Sequence, residues 1–321
     1  MKIKLLRKIL NFRELGIIAA LFVLVIFTAV FNPRFLSAYN LQILTRQIAI
    51  FSLIAIGETF VIITAGIDLS PGSVVVLTSV LVAWFMAHGF GMFGAILVTL
   101  IISAGIGIWH GGFVSKLRVP PFIITLGTFA IARGLGAVIT RGRPVPIPDS
   151  LSESFSYLWG GMLLKILPLP VLVLIIVSGI GIFILHFTVL GRHIYAVGGN
   201  IEAARLSGIN VDKVRIFVYV VSALLSGVVG ILLAARLDQG NPNIGQVYEL
   251  YAIAASVIGG TSLFGGVGTV LGAIIGACIL STMWNSLVLL RVSAYWHNVA
   301  LGIVIVVAVT VDILRKRRYN R

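Results

Sequence analysis

Four charged side chains stand where charge is costly: Glu58, Asp68, Arg133 and Glu249 lie in or at the ends of long apolar runs. A charge at membrane depth must face a polar path, a partner or the interface. Glu58 and Asp68 flank a chain break at Gly66. Two carboxylates there could line the route of a polar solute, accept its hydroxyls or carry protons. They could equally be structural: Asp68 stands just before Ser70 and Pro71, a position from which a carboxylate orders the start of the next helix. Ser70, Thr261 and Ser262 add hydroxyls at this break and at a similar one further on, and complete the candidate solute-path set. Arg133 is expected to pair locally.

A second polar stretch, GRHIYAVGGNIEAARLSGINV from Gly191 to Val211, has the marks of a capped short helix. Asn200 suits the N-cap, and Glu202 falls in the first turn, where a carboxylate meets the positive helix end. Gly208 sits where a left-handed glycine ends a helix. Roughly two turns lie between them at 3.6 residues per turn. Ala203 and Ser207 share one face, Ala204 and Gly208 the next. Such small side chains let another protein surface come close; spacing alone leaves an ordinary cytoplasmic loop equally open.

The elements that must hold these residues follow from composition. Hydrophobic residues are 59% of the chain and charged residues 11%, against roughly 25% charged in a soluble domain; mean hydropathy is +1.11. The expectation is an all-α polytopic membrane protein forming one membrane unit over 1–321. Apolar runs fall at about 15–31, 46–65, 72–88, 91–114, 120–139, 168–188, 213–237, 247–260, 266–290 and 294–313. The first has spanning length and no clear cleavage site after it, so it reads as a retained helix. The run at 247–260 is short and suggests a broken or re-entrant helix. The single cysteine, Cys278, lies in an apolar run as a small hydrophobe.

Ten crossings with a cytoplasmic N-terminus leave sixteen of the 24 Lys and Arg residues inside and seven outside, with Arg133 within a span. This fits the positive-inside rule. It places the loop 191–211 in the cytoplasm and the loop 140–167 outside, with both termini cytoplasmic. The net charge of +14 is thus mostly topology, with some attraction to anionic membrane lipid at the basic termini. No basic surface interleaved with aromatics points to nucleic acid.

Gly66-Ile-Asp-Leu-Ser-Pro-Gly72 and Gly260-Thr-Ser-Leu-Phe-Gly-Gly266 share G-x-x-L-x-x-G, 194 positions and six spans apart. An even number of spans places both on one side, as in a duplicated half; chance likeness of glycine-rich strings is the competing explanation. On the opposite side, Arg141 and Arg143 begin a proline-stiffened segment, and Arg291 joins two later runs. These arginines are candidates to meet acidic patches of a docking protein. No G-x-x-x-x-G-K-[ST], H-E-x-x-H or G-x-S-x-G occurs, and the five histidines are scattered singly. The chain is therefore expected to be no enzyme and to carry no metal site.

Glu202-Ala203-Ala204-x-x-x-Gly208 matches the EAA-xxx-G signature of ABC-importer permeases. The full 191–211 string, together with GIDLSPGS, PPFIITLGTFAIARG and GGTSLFGGVGT, resembles the ribose-type monosaccharide permeases; the isoleucine-x-leucine-proline of other permease classes is absent after Gly208. The resemblance implies a bacterial inner-membrane subunit of a monosaccharide importer. In it Asn200, Glu202, Ala203, Ala204, Arg205 and Gly208 form a coupling helix docked on a separate ATP-binding subunit. ATP and Mg reside in that subunit, and this chain binds no cofactor. A binding protein delivers the sugar outside, and a second permease copy completes the path, most simply as a homodimer. Other solutes remain open, among them branched-chain amino acids and a signalling furanose. The residues also leave room for a proton-coupled secondary transporter using Glu58 and Asp68, although that reading gives the Glu202–Gly208 helix no role.

Overall fold

A computed structural model describes residues 12–319 of the 321. The apolar runs become helices because backbone polar groups in hydrocarbon must bond within their own segment. In chain order these are α1 (Phe12–Phe31), a 3-10 turn (Pro33–Leu36), α2 (Ala38–Ile63), α3 (Pro71–Ala87), α4 (Met92–Ser115) and α5 (Pro121–Thr140). Then come α6 (Asp149–Gly160), α7 (Leu169–Phe187), α8 (Val189–Gly199), α9 (Ile201–Leu206) and α10 (Val211–Leu237). The last three are α11 (Tyr248–Ile258), α12 (Val270–Leu289) and α13 (Ala294–Tyr319). Among the described residues seven helices are long and apolar enough to cross a membrane; Ile18–Phe31 of α1, α3 and α11 are apolar but shorter, and together they match the ten expected runs. Ser37, Thr188, Asn200, Asn210 and Thr269 each cap a helix by accepting the backbone N–H three residues on.

Helices α2 and α10 form the centre, apolar nearly all round and buried along most of their length. α4 lies against α10 along Ser103, Gly107 and Gly111, spaced one turn apart. A Cβ on either glycine would run into the α10 backbone, at Val220 and Ile216 respectively, and the Ser103 hydroxyl donates to the Ala223 carbonyl at 2.5 Å. Small residues on one face let membrane helices approach this closely. α2 is tied to α12 by a reciprocal amide pair, Asn40 to Asn285, at 3.0 and 2.9 Å. The outer faces of α4, α5, α7 and α13 carry Leu97, Ile101, Leu126, Ile131, Phe183 and Val306 exposed, as a lipid-facing surface would.

The connections sort onto two ends. At one end α6 lies under the joint after α10, where the Asp238 carboxylate accepts the Ser152 and Ser156 hydroxyls at 2.7 and 3.1 Å. Two short antiparallel strands, Val145–Pro146 and Gln239–Gly240, pair there as well. At the other end Gly266 N–H donates to the Ile63 carbonyl at 2.8 Å, and the Tyr195 hydroxyl to the Gly268 carbonyl at 2.7 Å. The breaks at 64–70 and 259–269 thus lie together on one end, beside α8 and α9, as an even number of intervening spans requires.

Three boundaries differ from expectation. α2 begins at Ala38 rather than near residue 46, because Asn40 finds a buried partner in Asn285 and no longer counts against the span. The stretch 140–167 holds α6, whose Leu151, Phe155, Leu158 and Trp159 recur on one face, with Phe155 fully buried. The stretch 191–211 holds α8 as well as α9.

Candidate functional site

α9 is built as its local sequence dictates. The Asn200 side chain accepts Ala203 N–H at 3.0 Å, and Glu202 occupies the first turn. Gly208 adopts φ +81°, which an L side chain resists, and Gly208 and Ile209 N–H close the helix on the Arg205 and Ala204 carbonyls. Ala204 alone is buried and anchors α9 to the core. Ala203, Ser207 and Gly208 are exposed, and Arg205 reaches Glu202 at 3.6 Å across an exposed face where such pairs contribute little. Leu206 is 89% exposed at the tip. It gives the exposed face of α9 an apolar tip, whose visible signal in the sequence is a leucine between Arg205 and Ser207 in a polar stretch.

The first break is braced internally. Asp68 accepts Ser70 N–H at 2.8 Å and the Ser70 hydroxyl at 2.6 Å through one oxygen, and the Ser222 hydroxyl at 2.8 Å through the other. Its own N–H donates to Glu58 at 3.1 Å. Ser222 stands roughly three turns into α10, so the chain turns back from the end of α2 and α3 starts well inside the bundle. Glu58, Asp68, Ser70 and Thr261 are all essentially without exposure, whereas Ser262 is half-buried and bonds Asp312 at 3.2 Å. The expected path set is therefore brought together in part: Glu58, Asp68 and Ser70 form one cluster, and Thr261 and Ser262 belong to the second break. In this conformation the first cluster is enclosed by protein.

Tyr219 and His110 join that cluster's edge, with rings 5.9 Å apart. Glu58 Oε2, Tyr219 OH and His110 Nδ1 are buried without a hydrogen-bond partner among the described residues. Such atoms cost stability unless opening or hydration satisfies them. Tyr219 and Ser222, one turn apart in an apolar helix, are candidate functional-site residues whose only sequence signal is that polar patch.

Arg133 and Glu249 both approach the N-terminal end of α3, Arg133 through the Gly245 carbonyl and Glu249 directly. Arg133 Nη2 donates to the Gly245 carbonyl at 3.0 Å and its guanidinium lies 4.8 Å from the Phe129 ring. The Glu249 carboxylate presses on Gly72, where a Cβ would collide with it. Arg133 thus pairs locally, as the sequence suggested. Arg141, Arg143 and Arg291 are exposed at the end remote from α9. Among the described residues no group of three or more His, Cys, Asp and Glu is placed to hold a metal ion. Cys278 is half-buried on α12.

Behind α9, α8 presses on both breaks. A Cβ on Gly198 would collide with the Ile63 carbonyl oxygen and come within 2.6 Å of Gly266 N. Burial pushes the Tyr195 phenol above the usual tyrosine range, so it stays a neutral donor to Gly268.

Residues 40–309 match the family described as branched-chain amino acid transport system / permease component. The chain is 42% identical over 294 residues to the ribose import permease protein RbsC of Haemophilus influenzae, covering 91% of each. It is 42% identical to RbsC of Bacillus subtilis over 94% of this chain and 92% of that one. Identity to the xylose transport system permease protein XylH of Escherichia coli is 35%, over 97% and 94%. No solved structure matches. With ten apolar helices among the described residues, two chain breaks gathered on one end and a capped two-turn helix beside them, the chain belongs to this family of transport-system permeases.

Proposed function

We propose that this chain is the membrane-spanning subunit of an ABC importer for a monosaccharide, a ribose-like pentose first among them. The observation that carries the proposal is α9, a capped helix with one buried anchor and an exposed leucine at its tip, in a chain similar along nine-tenths of its length to ribose permeases. ATP and Mg bind a separate subunit that seats on Asn200, Glu202, Ala203, Ala204, Arg205 and Gly208. In the membrane the α9 end is cytoplasmic, as are both termini, and Arg141, Arg143 and Arg291 face a sugar-binding protein outside. A second copy of the chain completes the path. Nucleotide and loaded binding protein each favour one state of the pair, and that differential binding drives the path open to alternate sides.

A proton-coupled carrier is the poorer reading. Asp68 spends both oxygens on protein donors that hold the break in shape. A branched-chain amino acid is disfavoured by the identity to ribose and xylose permeases. The test is reconstitution in nanodiscs with candidate ATP-binding and sugar-binding partners. Sugar-loaded binding protein should stimulate ATP hydrolysis, and uptake into vesicles should survive a protonophore. Uptake without an ATP-binding subunit, abolished by the protonophore, would overturn the assignment.

A further inference from the structure

The two chain breaks touch each other, and one helix touches both. Gly266 N–H, in the second break, donates to the carbonyl of Ile63, the last residue before the first. Gly198, near the end of α8, lies over that hydrogen bond so closely that a Cβ there would strike the Ile63 oxygen and reach Gly266 N at 2.6 Å. In return, a Cβ on Gly265 would lie 2.6 Å from the Gly198 carbonyl and 2.9 Å from the Ala65 Cβ. Tyr195, one turn back on α8, holds the far side of the second break through Gly268. The first break is also gripped by α10: Ser222 bonds Asp68, and a Cβ on Gly66 would come within 2.7 Å of the Tyr219 hydroxyl. Between α8 and α10 lies only α9 with its caps.

We infer that α8 is a bridge: through Gly198 and Tyr195 it locks the two breaks together, so that a displacement of α9 moves both at once. Backbone packed on backbone has no rotamers with which to absorb a push, and close-packed contacts transmit displacement rather than damp it. The ends of α3 and α12 that leave the breaks therefore shift in concert. Gly198 and Tyr195 are positioning residues in this scheme, with no contact to solute. The part of the inference that concerns transport rests on the importer reading above; the mechanical part does not.

The test separates the two. In the chain alone in nanodiscs, with Cys278→Ser, single reporter cysteines are placed in the exposed parts of the breaks, Ala65→Cys in the first and Val267→Cys in the second. Maleimide labelling rates are then read with Tyr195→Phe, Gly198→Ala or Gly199→Ala added. A Cβ on Gly199 meets nothing within 4 Å, so that variant is the matched control. Tyr195→Phe and Gly198→Ala should change the rates at both reporters together; Gly199→Ala should change neither beyond about twofold. If Tyr195→Phe alters only Val267→Cys, or neither reporter, the bridge does not exist. Should Gly198→Ala fail to insert, Tyr195→Phe decides alone. With the ATP-binding and sugar-binding partners present, Tyr195→Phe should keep basal hydrolysis and lose about tenfold of its stimulation, within the range that coupling residues carry. Unaltered stimulation would remove the role in transport. Failure of every partner to bind would sink the importer reading and leave the labelling result standing.

Discussion

Glu58 and Asp68 show how differently two carboxylates ten residues apart can be placed. Asp68 is answered by three protein donors, while Glu58 Oε2 is buried with none among the described residues. That Asp68 braces the start of the next helix was one of two readings open in the sequence, since a carboxylate two residues before a serine and three before a proline suits a helix start. What closed its second oxygen was not legible, since Ser222 lies 154 positions away. Ser222→Ala strips that oxygen of its donor inside the bundle. Leaving a buried acceptor unsatisfied costs about 1–3 kcal/mol, so the melting temperature of the purified chain should fall. Asp68→Asn should be milder than Asp68→Ala, because the amide oxygen can still accept from Ser70 and its NH2 can donate to the Ser222 hydroxyl. Differential scanning fluorimetry on the three variants checks the order; equal stability of Asp68→Asn and Asp68→Ala would show that the brace contributes nothing.

At the scale of elements, α9 could be read from sequence because everything that makes it is local: an asparagine cap, an acidic first turn and a glycine with φ +81° at its end. α8 and α6 could not be read in the same way. α8 has a threonine cap but ends in two glycines, one of which is there because Ile63 and Gly266 leave no room for a Cβ, a reason that only tertiary structure supplies. α6 carries four serines or acidic residues in its first five, and its apolar face has meaning only against Asp238 and the core beside it. Leu206 gives α9 its prediction. At 89% exposure it supports no packing in the chain, so Leu206→Glu should leave the melting temperature of the isolated chain unchanged, within the about 0.5 kcal/mol typical of surface positions. A carboxylate forced into an apolar contact without a partner is strongly unfavourable, so recovery of the ATP-binding subunit in a pull-down should drop steeply. Gly208→Val should give the same loss by another route, since a β-branched residue resists a positive φ and unwinds the turn that holds α9. Full recovery of the ATP-binding subunit with both variants would mean that it seats elsewhere.

For the molecule as a whole, the sorting of connections onto two ends is the feature that both sequence and structure carry, by independent means. Loop charge assigned the ends by counting Lys and Arg. Hydrogen bonds assign them again without reference to charge: Ile63 to Gly266 and Tyr195 to Gly268 at one end, Asp238 to Ser152 and Asn32 to Leu289 at the other. Agreement matters because a single miscounted span would invert every later connection, and the short α3 and α11 were the two most easily miscounted. Both break inside the bundle, which is tolerable only because other helices, and not lipid, surround the exposed backbone. For the absolute direction we propose, from charge alone, that the basic α9 end lies inside. It is tested with single cysteines in the Cys278→Ser background, at Ser207 at the end of α9 and at Arg143 on the opposite end, both exposed. In sealed, right-side-out cells a membrane-impermeant maleimide should label Arg143→Cys and spare Ser207→Cys until the membrane is permeabilised. The opposite pattern would put α9 out of reach of any cytoplasmic ATP-binding subunit. Labelling of both in sealed cells would mean that the ends are not separated by the bilayer, and the ten-helix arrangement would have to be redrawn.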